Sequence, residues 1–163
     1  MEYIDIFDEN RMWRKSGGKK MKIVVGGIIE KDGKVLLVQE AKEKCYGKWN
    51  ISAGGLEPNE SIMNGAIREV KEETGCDVEL TGIVSIDYGV IEDKAFMAII
   101  FSTKLLNEDM KFNKDEILDV QWYDIDDVIG RMDDKLRNSQ FMKHSLLNLK
   151  NGNIGKLNII NEF

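Results

Sequence analysis

Residues 66–76 read AIREVKEETGC and carry three glutamates within about two helical turns. On a 3.6-residue period Met63, Ala66, Ile67, Val70 and Thr74 share one face. Glu69, Glu72 and Glu73 stand at i, i+3 and i+4, so their side chains meet. Asn59 and Ser61, just after Pro58, are capping candidates, and Gly75 supplies a stop. The spacing therefore predicts a helix from Ser61 or Ile62 to Thr74. Like-charge neighbours cost a few tenths of a kcal/mol per pair in an isolated helix, and Arg68 and Lys71 offset this only in part. A solvated acidic face is one reading of such a helix. A hard divalent cation drawing on carboxylate oxygens and water is the other.

The preceding loop, AGGLEPNE at 53–60, favours the second reading. From Gly54 the order is glycine, five residues, Glu60, seven residues, then Arg68-Glu69-Val70-Lys71-Glu72-Glu73-Thr74-Gly75-Cys76. This resembles the Nudix box, G-x5-E-x7-R-E-U-x-E-E-x-G-U, where U is a bulky apolar residue. All seven fixed positions match, Val70 fits the first U, and Cys76 is an acceptable small apolar residue at the second. With each fixed residue used at roughly 5–7%, a chance match is on the order of 10⁻⁹ per starting position. Gly47-Lys48-Trp49 before the loop and Glu116 with Trp122-Tyr123 after it resemble further landmarks of that family, so the likeness extends over about 21–132. Asn59 stands where this branch usually has glycine; asparagine also tolerates turn conformations.

The resemblance implies an α/β (α+β) fold, an αβα sandwich with a mixed β-sheet between helices. It also implies metal-dependent hydrolysis of a nucleoside diphosphate linked to another moiety, with a nucleoside di- or triphosphate as the leading substrate. Mg²⁺ or Mn²⁺ would be held by Glu69, Glu73, Glu72 and the Gly54 carbonyl. Bare backbone at Gly54 and Gly55 suits close approach to metal and phosphate. Arg68 would tie the loop carboxylates to the helix, with Glu60 in the orienting shell. Glu72, Glu116 and Arg68 are the candidate catalytic residues. For Glu116, a carboxylate serving metal or water and a solvated loop glutamate both stand open.

Length and charge set the frame. The chain has 163 residues, 23 basic against 29 acidic, and a net charge of −6. That is most simply one domain with its own core; we read 1–20 as an N-terminal arm and 21–163 as the hydrolase domain. The acidic balance argues against a nucleic-acid backbone binder, but a bound cation can reverse the local field for a small anion. No run reaches the ~18–20 apolar residues of a membrane span, and the acidic MEYIDIFDEN start lacks the order of a signal peptide. Cys45 and Cys76 lie outside any CxxC spacing, which fits reduced thiols and a cytoplasmic setting. One histidine, His144, is too few for a Cys/His zinc site; packing or surface is its expected role.

The remaining elements follow from periodicity. Residues 1–7 alternate weakly and could form a strand that pairs across a homodimer; the polar RKSGGKK follows at 14–20. Residues 21–30 and 34–39 flank KDG, a hairpin signal. An extended piece is expected at 49–53, a strand pair at 77–88 and 95–105, and a strand at 117–125 with Val120 and Trp122 on one face. A short helix at 126–132 and a longer one at 139–149 complete the reading. Trp49 and Trp122 are expected in the core; Tyr88 and Phe96 are substrate-side candidates by position.

Two alternatives belong here. The N-terminus faintly resembles the isopentenyl-diphosphate isomerase branch, but Ala53 stands where that branch has its catalytic cysteine and Gly55 where it has histidine. The other is a Nudix-like ligand-binding module without turnover, since a fold alone does not guarantee activity. The box is complete, which favours the enzyme. No proline follows Pro58, so the proline often found in ADP-ribose hydrolases is absent, and no motif specific to coenzyme A or NADH is present.

Overall fold

The structure, a computed structural model, describes residues 14–16, 19–91 and 93–162. The strand expected at 1–7 lies outside the described residues. The KDG hairpin forms as the sequence predicts: Asp32 and Gly33 take φ values of 54° and 77°, the left-handed pair that a two-residue turn between twisted strands requires. It joins β2 (Lys19–Lys31) to β3 (Lys34–Glu40), paired antiparallel with Lys31 opposite Lys34. Upstream, β1 (Arg14–Ser16) pairs antiparallel with the start of β2, where only a polar connection was expected.

The extended piece expected at 49–53 is two strands. β4 (Trp49–Asn50) pairs with β3, whereas β5 (Ser52–Gly55) pairs with β2; the fully buried Ile51 lies between them. β6 (Asp77–Ile91) and β7 (Lys94–Asn107) form a longer hairpin than expected, and β8 (Ile117–Asp124) pairs antiparallel with β3. β7 lies parallel to β2, with Val24 opposite Ala98, so the sheet is mixed. Among the described residues eight strands form this one sheet. The helices are α1 (Ile62–Thr74), α2 (Ile125–Arg131) and α3 (Ser139–Lys150).

Alternation along the strands divides the core into two layers. Ile28, Val35, Leu37 and Ile100 pack with Val128 of α2 and Met142 and Leu146 of α3. Their neighbours Ile29, Leu36 and Val38 pack with Val70 of α1, and Val25, Ile99 and Phe101 pack with Ala66. Covered faces on both sides explain why these strands read as nearly continuous apolar runs. The result is the αβα sandwich that the sequence implied. No helix among the described residues is long and apolar enough to cross a membrane.

α1 begins and ends where its sequence says. Ser61 Oγ accepts the Asn64 N–H at 3.1 Å, and Gly75, at φ 76°, closes the helix by donating its N–H to the Lys71 carbonyl at 2.9 Å. Its faces differ from the expectation. The buried sector is Gly65, Ala66, Glu69, Val70, Glu73 and Thr74, one contiguous i, i+3, i+4 stripe, whereas Ile67 is 36% exposed and the Glu72 side chain 50%. Two of the three glutamates thus belong to the packed face.

Candidate active site

The buried glutamates lie under the glycine strand. A Cβ at Gly54 would stand 2.2 Å from Glu69 Oε2, so only glycine lets β5 pass this carboxylate. Ser52 Oγ donates to the Glu69 carbonyl at 3.1 Å, and the Ala53 N–H donates to Glu73 Oε2 at 3.0 Å. Burial, and then the negative charges of Glu40 and Glu69, push the Glu73 carboxyl well above the usual carboxylate range.

Arg68 organises the other acids. Its Nε and Nη2 grip Glu60 as a fork at 2.9 and 2.7 Å, and Nη1 reaches Glu69 at 2.8 Å and Glu72 at 3.1 Å. Nη2 also donates to the Gly55 carbonyl at 3.1 Å. Hydrogen bonding to Glu60 is the first cause holding the guanidinium above even its ordinary high pKa. The four acids and Gly54 are therefore gathered by one cation and one strand. No three His, Cys, Asp or Glu side chains among the described residues converge as a ready-made metal cluster. Glu116 stands at the entrance of β8, where its carbonyl accepts the Ala41 N–H at 2.9 Å, next to the end of β3.

Sequence reasoning missed Glu40. It is 1% exposed, its Oε1 accepts from Arg137 Nη1 at 2.5 Å and from Asn50 Nδ2 at 3.2 Å, and its Oε2 is buried with no hydrogen-bond partner. No local signal marks it, because its partners come from 10 and 97 residues away.

A cavity of about 980 Å³ opens between the sheet and α3, at the upper end of the size usual for small-ligand sites. Gly54 and Gly55 line it, as do Lys22, Lys42, Lys48 and Arg137, and Tyr88, Phe96 and Phe141 add aromatic surface. Four cations against two acids, Asp87 and Asp133, line the cavity, a basic excess in a chain of net charge −6, although Arg137 is paired with Glu40. Tyr88 and Phe96 were expected on this side. The four cations were not; only Lys22, a lysine within the apolar run MKIVVGGIIE, left a trace in the sequence. His144 lines the same cavity, 3.4 Å from Asp87. Trp49 is core, edge-on to Tyr123 with ring centroids 4.9 Å apart, and Trp122 is half-buried with Nε1 donating to Glu108 at 2.8 Å.

Comparison with known proteins agrees with this geometry. A family model described as NUDIX domain matches residues 20–145. The chain is 37% identical over 98 residues to putative nudix hydrolase 1 of Caenorhabditis elegans, covering 60% of this chain and 26% of that protein. It is 32% identical over 104 residues to the 8-oxo-dGDP phosphatase NUDT18 of Homo sapiens, covering 62% and 31%. Nucleoside triphosphatase NudI of Enterobacter sp. is 28% identical over 116 residues, covering 63% and 82%. The chain spans about a quarter to a third of the length of the animal relatives named here. Among solved structures, a NUDIX hydrolase from Nitrosomonas europaea superposes with a TM-score of 0.79 at 27% identity, over 88% of this chain and 98% of that one.

Proposed function

The chain belongs to the Nudix family, and from that premise we propose that it is a pyrophosphohydrolase cleaving the phosphoanhydride of a nucleoside di- or triphosphate with Mg²⁺ or Mn²⁺. One observation carries the reading. The buried carboxylate of Glu69 lies beneath Gly54, that of Glu73 accepts the N–H of the adjacent Ala53, and Gly54 also lines a cavity rimmed by Lys22, Lys42, Lys48 and Arg137.

The residues fit a hard cation. Glu40, Glu69 and Glu73 crowd negative charge where burial already disfavours it, and Glu40 leaves one oxygen without a hydrogen bond. Magnesium is typically bound by one or two carboxylates together with waters and substrate phosphate, so a full protein cage is not required. Glu69 and Glu73 would hold the ion, with Glu72 and the Gly54 carbonyl beside them. When bound, it would supply charge neutralisation and a more acidic water.

The protein's own groups do the rest. Lysine and arginine side chains at the cavity neutralise phosphate charge and orient the chain of phosphates. Arg68 keeps Glu60, Glu69 and Glu72 in place, so we assign it a positioning role. Glu72 and Glu116 are the carboxylates we assign to taking the proton from the attacking water. Residues 21–163 form the catalytic unit in this reading, and 1–20 an arm. The buried, unpaired thiols of Cys45 and Cys76 suit a reducing, cytoplasmic setting.

The names of the relatives support nucleotides as the substrate class. The test is phosphate release from a nucleotide panel with and without Mg²⁺. Turnover that needs the ion and is lost in a folded Glu73→Gln variant is expected; full activity of that variant refutes the assignment.

A further inference from the structure

One carboxylate of the cavity has no part in the chemistry above. Asp87, on β6, lines the cavity, and its Oδ2 is buried without a hydrogen-bond partner, while Oδ1 faces His144 Nδ1 at 3.4 Å. Its place in the sheet is informative. Gly55 pairs with Val24, Val24 with Ala98, and Ala98 with Asp87, one row across four strands that all line the cavity. Three strand spacings set Asp87 about 14 Å from the glycine end. In the next row Phe96 pairs with Gly89, and a Cβ at Gly89 would stand 2.4 Å from the Phe96 ring. The missing side chain lets that ring lie against the strand, an aromatic surface beside the carboxylate. Flat rings stack on such surfaces without regard to which base they belong to, so discrimination must come from the polar group.

We propose that Asp87 is the specificity-determining residue of this site, selecting a nucleobase whose edge carries adjacent N–H donors, that of guanine. The assignment rests on the nucleotide reading above. A carboxylate only accepts hydrogen bonds. Guanine offers N1–H and the N2 amino group side by side. Hypoxanthine keeps only the first, and uracil flanks its single N–H with two carbonyls that a carboxylate repels. The Asp87 side chain is 22% exposed and lines the cavity. A carboxylate covered by a base edge that offers it no donor loses its water without a replacement, which is costly and turns Asp87 into a discriminating group.

The test is calorimetric binding of GDP, IDP and UDP to the full chain in EDTA, for the wild type and Asp87→Asn, with thermal unfolding as the folding control. We expect the wild type to favour GDP over UDP by about tenfold to a hundredfold, the range for a good bidentate base contact, with IDP between. Asp87→Asn should bring the three within a few-fold of one another at unchanged melting temperature. Equal wild-type affinities, a GDP preference intact in the variant, or no binding at millimolar nucleotide each overturn the assignment; if the variant does not fold, the wild-type ratios decide alone. Turnover is read separately. A chain that prefers GDP but hydrolyses no nucleotide loses the hydrolase reading and keeps this one, and one that hydrolyses nucleotides while binding GDP and UDP equally does the reverse.

Discussion

Arg68 and Glu60 meet as a two-pronged fork, Nε to Oε2 at 2.9 Å and Nη2 to Oε1 at 2.7 Å, with side chains only 21% and 16% exposed. The same Glu60 oxygen accepts the Glu57 N–H at 2.6 Å, so the pair clamps the glycine loop to α1. Lysine keeps the charge but cannot form a planar fork. Arg68→Lys should therefore cost about 1.5–3 kcal/mol of stability, the range for charged hydrogen bonds, and reduce turnover about tenfold to a hundredfold by loosening Glu69. Urea unfolding and steady-state phosphate release measure the two effects. A variant with native stability and activity would show the fork to be idle.

Glu73 should set stability against activity. Its folded pKa is raised, so the native state holds a proton that the unfolded chain releases from about pH 4.3 upward. Stability of the metal-free protein then falls as pH climbs from there to the raised folded value, and above it the full penalty persists. Glu73→Gln removes the charge and, through its side-chain carbonyl, can keep the Ala53 contact. It should match the wild type in acid and melt higher at pH 8, by about 2–4 °C for each kcal/mol of penalty removed. Mg²⁺ should raise the melting temperature of the wild type and not that of the variant, whose turnover should drop at least about a hundredfold. A variant that melts lower than the wild type at pH 8 would contradict the charge argument.

The sequence was most informative where meaning is carried by spacing within a few residues. The glycine-to-glutamate spacing, the Ser61 cap, the Gly75 stop and the Asp32-Gly33 turn are all local, and each stands where expected. Asn59, read as a tolerable replacement for glycine, takes φ 65°. Burial was harder to read, because a polar residue on a helix is assumed to face water. Glu69 and Glu73 break that assumption, and Ile67 takes an exposed place. The cavity left almost no trace. Lys22, Lys42, Asp87 and Arg137 come together through the parallel β2–β7 pairing and the return of α3, contacts between distant segments that no short window contains. The break at Ile51 was hidden for the same reason, since the strands on either side of it choose different partners.

Glu40 and Arg137 tie β3 to the segment before α3, with side chains 1% and 7% exposed. Removing only one partner strands the other charge in the interior. Arg137→Met should cost about 3–5 kcal/mol, whereas Glu40→Met with Arg137→Met should recover most of that loss, since buried ion pairs rarely outdo apolar packing. A double-mutant cycle by urea unfolding reads the coupling. Additive losses would mean that the two residues act independently. Because Arg137 also lines the cavity, the recovered double variant should remain weak in turnover, which separates its contribution to the fold from its contribution to phosphate binding.

Two glycine-to-alanine exchanges should have opposite outcomes. At Gly54 the new methyl would fall 2.2 Å from Oε2, 2.4 Å from Cδ and 2.5 Å from Oε1 of Glu69. Glu69 is 2% exposed and bound to Arg68, so it has little room to retreat. Overpacking of this kind costs about 1–3 kcal/mol, and the carboxylate that yields is one assigned to the metal. Gly54→Ala should therefore lower the melting temperature, abolish the Mg²⁺-dependent shift and reduce kcat/KM by about a hundredfold or more. Gly130 lies in α2 with nothing within 4 Å of its added methyl. There the change only adds helix propensity, at most about 1 kcal/mol, so Gly130→Ala should melt slightly higher with unaltered kinetics. Normal metal response and turnover in Gly54→Ala would show that Glu69 can move freely, and the description of β5 as a strand pressed against a buried carboxylate would be wrong.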